Sequence, residues 1–476
     1  MMSWPPVYDE EYMPPPDSPY WFKKLETMPQ KERDELILKK LKAQLKYCWE
    51  NSEFYRKKWV KANFHPDDLW NLNDLKKIPI VTKEEFRRDQ MENPPYGTNL
   101  CISVDDIYTI HGTSGTTGRP AVFAIGYDDV RRIANTHARV MWGFGLRPKD
   151  TIMIAAFFSL YLGSWGALWG SQRLKAKSFP FGAGAPGQTR SAVHWAKQLK
   201  PTALYGTMSY ILHFAEVAYE EGIDPQTDFN FRIIFTSGEP GAALPSMKEK
   251  IKKIFNATLI DLGSTAEMSP WMTNGECSYA CGMHLWQDVV YTELVDPKTL
   301  EPVEYGEEGV PVYTHLERTS QPFIRFFSYD VSTWINDPCE CGRTYPRLPK
   351  GIYGRIDDVI NIRGEKVFPS AIQEALMSVK GYGGEHQIII TRERALDKII
   401  LKVEYDKDVE KQASINSLVL KDLEEAFKNA IRVKCGVNAE VILVPPKTLN
   451  RTQLKAKRII DSRELYQELS KLRSHH

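Results

Sequence analysis

The sequence carries almost no excess of either charge: 62 lysines and arginines stand against 61 aspartates and glutamates, a formal net charge of +1. No broad field of one sign follows, so neither a nucleic acid nor a membrane surface is expected as a partner. A small polyanion needs only a local cluster and stays open. Cysteine is scarce too. The seven present are irregularly spaced, which makes no disulfide framework and fits a reducing cytoplasm. The opening "MMSWPPVYDEEYMPPPDSPYW" lacks a basic stretch followed by an apolar one and does not read as a secretory leader. Long uncharged runs are rare, with one exception, Thr151 to Gly170. Gly163, Ser164 and Gly166 interrupt it, so it reads as a buried strand, a turn and a helix start rather than a membrane span.

What is present is ordinary globular composition, 42% hydrophobic and 26% charged, over 476 residues, enough for two or three domains. Residues 26–60 carry Leu among Lys and Glu at helical spacing. Beyond them, apolar runs ending at small residues ("TIMIAAFF", "TALYG", "FRIIFTSG", "ATLIDLG") alternate with amphipathic stretches ("SAVHWAKQLK", "SMKEKIKKIF"). That alternation predicts a mostly parallel sheet covered by helices. From about 289 to 350, shorter strand candidates with Gly and Pro punctuation predict a small β-rich module. After "GIYGRIDDVINIRGEKVFPSAIQEAL" come one helix, strands at 387–391 and 399–404, a long helix around 408–432 and a strand at 439–444. The expected fold is therefore α/β: a large N-terminal domain (1–355) of parallel sheets with helices and the β-rich module, then a small C-terminal α+β domain (356–476).

The segment "HGTSGTTGRPAVF" at 111–123 concentrates glycines and hydroxyls, which suits backbone N–H groups closing on an anion. It is not the G-x-x-x-x-G-K-[ST] phosphate loop, because Arg119 and Pro120 follow its last glycine. Its order resembles the phosphate loop of the adenylate-forming superfamily (acyl-CoA synthetases, firefly-luciferase-like enzymes and peptide-synthetase adenylation domains), and most of all the phenylacetate–CoA ligase branch. Further segments resemble that branch in the same order: "IPIVTKEEFRRD", "PFIRFFSYDVS", "YGRIDDVINIRGEKVFPSAIQEAL" and "NRTQLKAKRIIDSR".

The resemblance implies an ATP-dependent ligase that joins a carboxylic acid to coenzyme A through an acyl-AMP, with Mg²⁺. It implies that Thr113, Ser114, Gly115, Thr116, Thr117 and Gly118 hold the β- and γ-phosphates, and that Glu267 in "DLGSTAEM" helps hold Mg²⁺. The family's adenine-side tyrosine falls on Gly263 in direct register, so the adenine platform is altered or one residue is inserted. Ser237, Gly238, Glu239 and Pro240 would border the adenine and acyl pocket, Asp330 would accept the ribose hydroxyls, and Arg355 would contact phosphate or ribose. Asp357 would be the hinge about which the mobile C-terminal domain swings, carrying 361–366 to the active site. Lys455 would bridge the acyl carboxylate and the α-phosphate; Leu454 stands where the family has glycine. Arg325, in "FIRF", is expected to pair with a nearby acid.

Phe157, Phe158, Tyr161, Trp165 and Tyr205 are candidates for the wall of an aryl or small-acid pocket; aromatics at these spacings are more often plain core. Phe158 and Trp165 bring bulk where relatives carry small groups, which predicts a changed, smaller pocket. Cys277, His284, Cys339 and Cys341 form a Cys₃His set suited to structural zinc, with Cys281 as a substitute. Two other readings stay open: an adenylating enzyme serving an acceptor other than CoA, and a catalytically silent nucleotide-binding scaffold. A homodimer is the family's tendency.

Overall fold

The computed structural model describes residues 4–112, 121–160, 162–182, 187–356, 360–362, 365–393, 396–414, 416, 418–449 and 459–461. A helical layer opens the chain: α1 (Lys23–Glu26), α2 (Gln30–Asn51), α3 (Glu53–Lys61) and α4 (Lys83–Glu92). In α2 the apolar side chains Ile37, Leu41, Leu45 and Cys48 fall on one buried stripe, as the 26–60 periodicity predicts. A hairpin follows, β1 (Ile107–Gly112) antiparallel to β2 (Val122–Gly126), with His111 opposite Phe123. It brackets the glycine-rich segment, and α5 (Tyr127–Gly143) continues from it.

The alternation then begins: β3 (Thr151–Ile154), α6 (Leu162–Arg173), β4 (Lys177–Phe179), α7 (Gln188–Leu199), β5 (Ala203–Gly206), α8 (Met208–Glu220), β6 (Ile233–Thr236), α9 (Pro245–Phe255) and β7 (Thr258–Asp261). The strands form one parallel sheet in the order β4-β3-β5-β6-β7. Its inner strands β5 and β6 are buried along their whole length because helices cover both faces. Ala192, Val193, Phe214, Ile251 and Phe255 pack on one side, and Val140, Met141, Trp142 and Trp271 on the other. The uncharged run 151–170 holds β3, a connection and most of α6, and no helix among the described residues is long and apolar enough to cross a membrane.

The β-rich region pairs Val290–Val295 antiparallel with Glu308–His315, followed outward by Asp330–Thr333 and Gly354–Arg355. In the C-terminal part, α10 (Pro369–Met377) precedes a hairpin of Tyr382–Glu393 and Leu396–Tyr405, flanked by the parallel strands Ala439–Val444 and Ile459–Asp461. Leu423, Phe427 and Ile431 close its core. The expected long helix is instead two, α11 (Lys407–Ala413) and α12 (Leu418–Cys435). Asn416 causes the break: its side-chain oxygen accepts the Leu418 N–H at 3.0 Å, capping a new helix start.

Candidate active site

In a parallel sheet of this kind the carboxyl ends of the strands share one rim, where loops can meet a ligand. The rim here gathers Tyr205 at the end of β5, Ser237 after β6 and Asp261 at the end of β7. The Tyr205 hydroxyl and Ser237 Oγ are 2.7 Å apart, and Tyr205 lies under Trp271 and Phe235. Glu239 receives the Ser209 N–H and hydroxyl at 2.8 and 2.6 Å, fixing the start of α8. Gly238 and Pro240 are exposed beside it.

Glu267 sits in a short turn (Ala266–Met268) and is buried. Burial alone would push its carboxyl up, but the Lys83 ammonium at 2.7 Å holds it below the ordinary range. Local sequence explains why Lys83 is there. Thr82 and Glu85 form a reciprocal capping box, with Glu85 N–H to Thr82 Oγ1 at 3.2 Å and Thr82 N–H to Glu85 Oε2 at 2.9 Å. The cap pins the first turn of α4 beside the strand edge, where Val81 N–H reaches the Arg325 carbonyl. Arg325 pairs with buried Glu293 at 3.1 Å, as expected of a structural arginine.

Asp330 and Arg355 are register partners on adjacent strands, and Arg355 Nη1 donates to Asp330 Oδ1 at 3.2 Å. Phe158 packs edge-on against Trp165 at 5.3 Å, and Phe157 is largely exposed. Thr113, Ser114, Gly115, Thr116, Thr117, Gly118, Tyr161, Asp357 and Lys455 lie outside the described residues.

Gly263 has a φ of +152°, a backbone conformation that residues with side chains rarely adopt, so a glycine suits the place where the family's adenine-side tyrosine falls in direct register.

Three further residues escaped the sequence reading. Lys83 was visible only within "IPIVTKEEFRRD", a segment quoted for its resemblance. Asp261 is buried, and burial followed by the nearby Glu276 carboxylate raises it well above the ordinary range against the pull of Lys248. His111, at the end of β1, is lowered to about 4 by burial and lies edge-on to Trp165 and Trp169.

The cysteine set converges. Ligand atoms of Cys277, His284, Cys339 and Cys341 all lie within 4.8 Å of one another, and all four residues are buried. Cys277 Sγ is 3.8 Å from Cys339 Sγ, and Cys341 Sγ is 3.4 Å from His284 Nε2. Cys281 is exposed, outside the four, although its sulfur approaches Cys339 at 3.4 Å.

Residues 28–313 match the "AMP-binding enzyme" family and 364–463 match the "AMP-binding enzyme C-terminal domain". Phenylacetate-coenzyme A ligase of Escherichia coli (strain K12) is 29% identical over 447 residues, 93% of this chain and 97% of that one. A crystal structure of 2-hydroxyisobutyryl-CoA ligase, in the postadenylation state with 2-HIB-AMP, gives a TM-score of 0.93 at 48% identity, covering 99% of this chain and 98% of that one. The same ligase with 2-HIB-AMP and CoA in the thioesterification state gives 0.75 at 49% identity, covering 100% and 99%. Two domain matches in order, with end-to-end similarity to acid–CoA ligases, place the chain in the AMP-binding enzyme family, in its phenylacetate-CoA ligase branch.

Proposed function

We propose that the protein is an ATP-dependent, AMP-forming ligase that converts a short carboxylic acid to its CoA thioester. The observation that carries this is the end-to-end likeness, 48% identical over 99% of the chain, to a ligase crystallised with its acyl-adenylate. An acid carboxylate oxygen attacks the α-phosphorus of ATP, the α–β P–O bond breaks, and pyrophosphate leaves. The CoA sulfur then attacks the acyl carbon, the acyl–O bond breaks, and AMP leaves. Both steps move negative charge, so preorganised cations and N–H donors do most of the work.

In this reading residues 113–118 cradle the β- and γ-phosphates, Asp330 takes the ribose hydroxyls with Arg355 orienting its carboxylate, and Lys455 bridges the acid and the α-phosphate. Glu267 suits a Mg²⁺ ligand because Lys83 keeps it ionised inside a buried site; bound there, the ion would offset charge on the phosphates. Asp357 serves as the hinge between bodies at 1–355 and 356–476. Phe158 and Trp165, packed edge-on, support a pocket for a compact acid, and 2-hydroxyisobutyrate is the first to try. The buried Cys₃His set supports a closed, structural zinc that ties the turn after residue 276 to the 339–341 knuckle and leaves no position for catalysis. ATP and CoA as co-substrates support a cytoplasmic location.

Pyrophosphate release, with and without CoA, is the test, over 2-hydroxyisobutyrate, phenylacetate and hexadecanoate. Release should require a short acid, and thioester should form only with CoA. Preference for hexadecanoate, or release indifferent to any acid, would defeat the reading. Lys455→Ala should lower the first step by ~10²-fold or more.

A further inference from the structure

Glu404, near the end of the strand Leu396–Tyr405, is completely buried. A carboxylate so placed must have its oxygens satisfied. Among its partners are two main-chain donors from one turn: Lys447 N–H at 3.2 Å on Oε2 and Leu449 N–H at 2.7 Å on Oε1. Thr448 N–H closes that turn on the Pro445 carbonyl at 3.3 Å. Pro446 occupies its second position and Lys447 its third, with a φ of +67°. The third position of such a turn is normally left to Gly or Asn, and a lysine held there marks a conformation that its surroundings enforce. The Lys447 ammonium reaches out to Glu220 at the end of α8, so the turn is also a contact between the C-terminal body and the N-terminal one.

We propose that Glu404 is a positioning residue for acyl-adenylate formation. Its carboxylate fixes the 445–449 turn, the turn aims Lys447 at Glu220, and Lys455 stands six residues after Leu449 in sequence. This rests on the ligase reading above. The chain matches the postadenylation arrangement of the 48%-identical ligase (TM-score 0.93) better than its thioesterification arrangement (0.75), so the Lys447–Glu220 bridge belongs to the former. Glu404 should therefore serve the first half-reaction and not the second.

The two half-reactions separate these roles. One assay follows pyrophosphate from ATP and 2-hydroxyisobutyrate; the other supplies 2-hydroxyisobutyryl-adenylate and CoA and follows thioester. Glu404→Gln keeps the shape and one acceptor; it should slow the first about ten-fold, the scale of a weakened charged hydrogen bond, and leave the second unchanged. Lys447→Glu should do the same, and Lys447→Glu with Glu220→Lys should regain the lost rate. Equal slowing of both steps by Glu404→Gln, or no rescue by the exchanged pair, overturns the proposal. A second readout needs no turnover: oxidative cross-linking of Glu220→Cys/Lys447→Cys should be efficient and should fall when Glu404→Gln is added. An unchanged yield also overturns it. If the wild type releases no pyrophosphate with any acid, the ligase reading fails, and the cross-link yield alone decides the fate of the clamp.

Discussion

Lys83 stands at the first position of α4, where the helix dipole disfavours a cation, and its compensation is the buried Glu267 carboxylate 2.7 Å away. Removing the ammonium takes away the main influence that lowers that carboxylate and leaves burial, which raises it, opposed only by hydrogen bonds from the Glu267 main chain and Thr265. Lys83→Met should therefore move the acidic limb of the pyrophosphate-release profile to higher pH and raise the Mg²⁺ concentration needed for half-maximal rate. A profile superimposable on the wild type's would show that Glu267 does not depend on this partner. Glu267 was legible in the sequence because it closes a motif. Lys83 was not, because its meaning arises only when residues distant in sequence pack together. Asp261 escaped for the same reason: nothing in "ATLIDLG" announces that Glu276 will be folded against it.

At the scale of elements, the sheet and its helices were readable because strand runs and helical stripes carry different periods. What the sequence left hidden is how closely elements approach. Gly166 on α6 shows this: a Cβ there would lie 2.5 Å from Trp271 Nε1 and 2.6 Å from His137 Cε1, both atoms of packed rings. Gly166→Ala should destabilise the fold by about 1–3 kcal/mol through overpacking, read as a lower urea midpoint at an unchanged slope. The Cys₃His set makes a second element-scale claim. It joins the turn after residue 276 to the 339–341 knuckle, neither of which has much apolar core of its own. Purified protein should hold one zinc per chain by atomic emission. Cys339→Ser with Cys341→Ser should lose the metal and lower Tm, with loss of activity tracking unfolding. Retained metal in that double variant would refute the assignment. The spacing announced these four residues, whereas the exclusion of Cys281 had to come from its exposure.

For the molecule as a whole, the buried histidines set the acid side of its stability. His137 and His315 are fully enclosed and lowered to about 4 and about 3, in both cases chiefly by burial. Each ring is committed to its neutral form. The Nδ1 of His137 faces the Gly166 carbonyl at 2.9 Å while its Nε2 accepts the Met272 N–H at 3.4 Å. In His315 the roles are exchanged, with Nε2 facing the Ser269 carbonyl at 3.1 Å and Nδ1 accepting the Phe323 N–H at 3.0 Å. A proton added to either acceptor would confront a backbone donor. Unfolded, both rings titrate near 6.5, so between there and about 4 the unfolded chain binds protons that the folded chain does not. Stability must then rise with pH across that window and fall on acidification through it. Asp261 acts in the opposite sense: raised in the folded state, it contributes most at low pH and its contribution is lost as pH climbs above 3.8. Tm should accordingly drop by several degrees between pH 6.5 and 4.5. The drop should be smaller in His137→Gln, whose amide can still accept the Met272 N–H and cannot take up a proton. A variant with the same acid slope as the wild type would mean that the linkage lies in other groups.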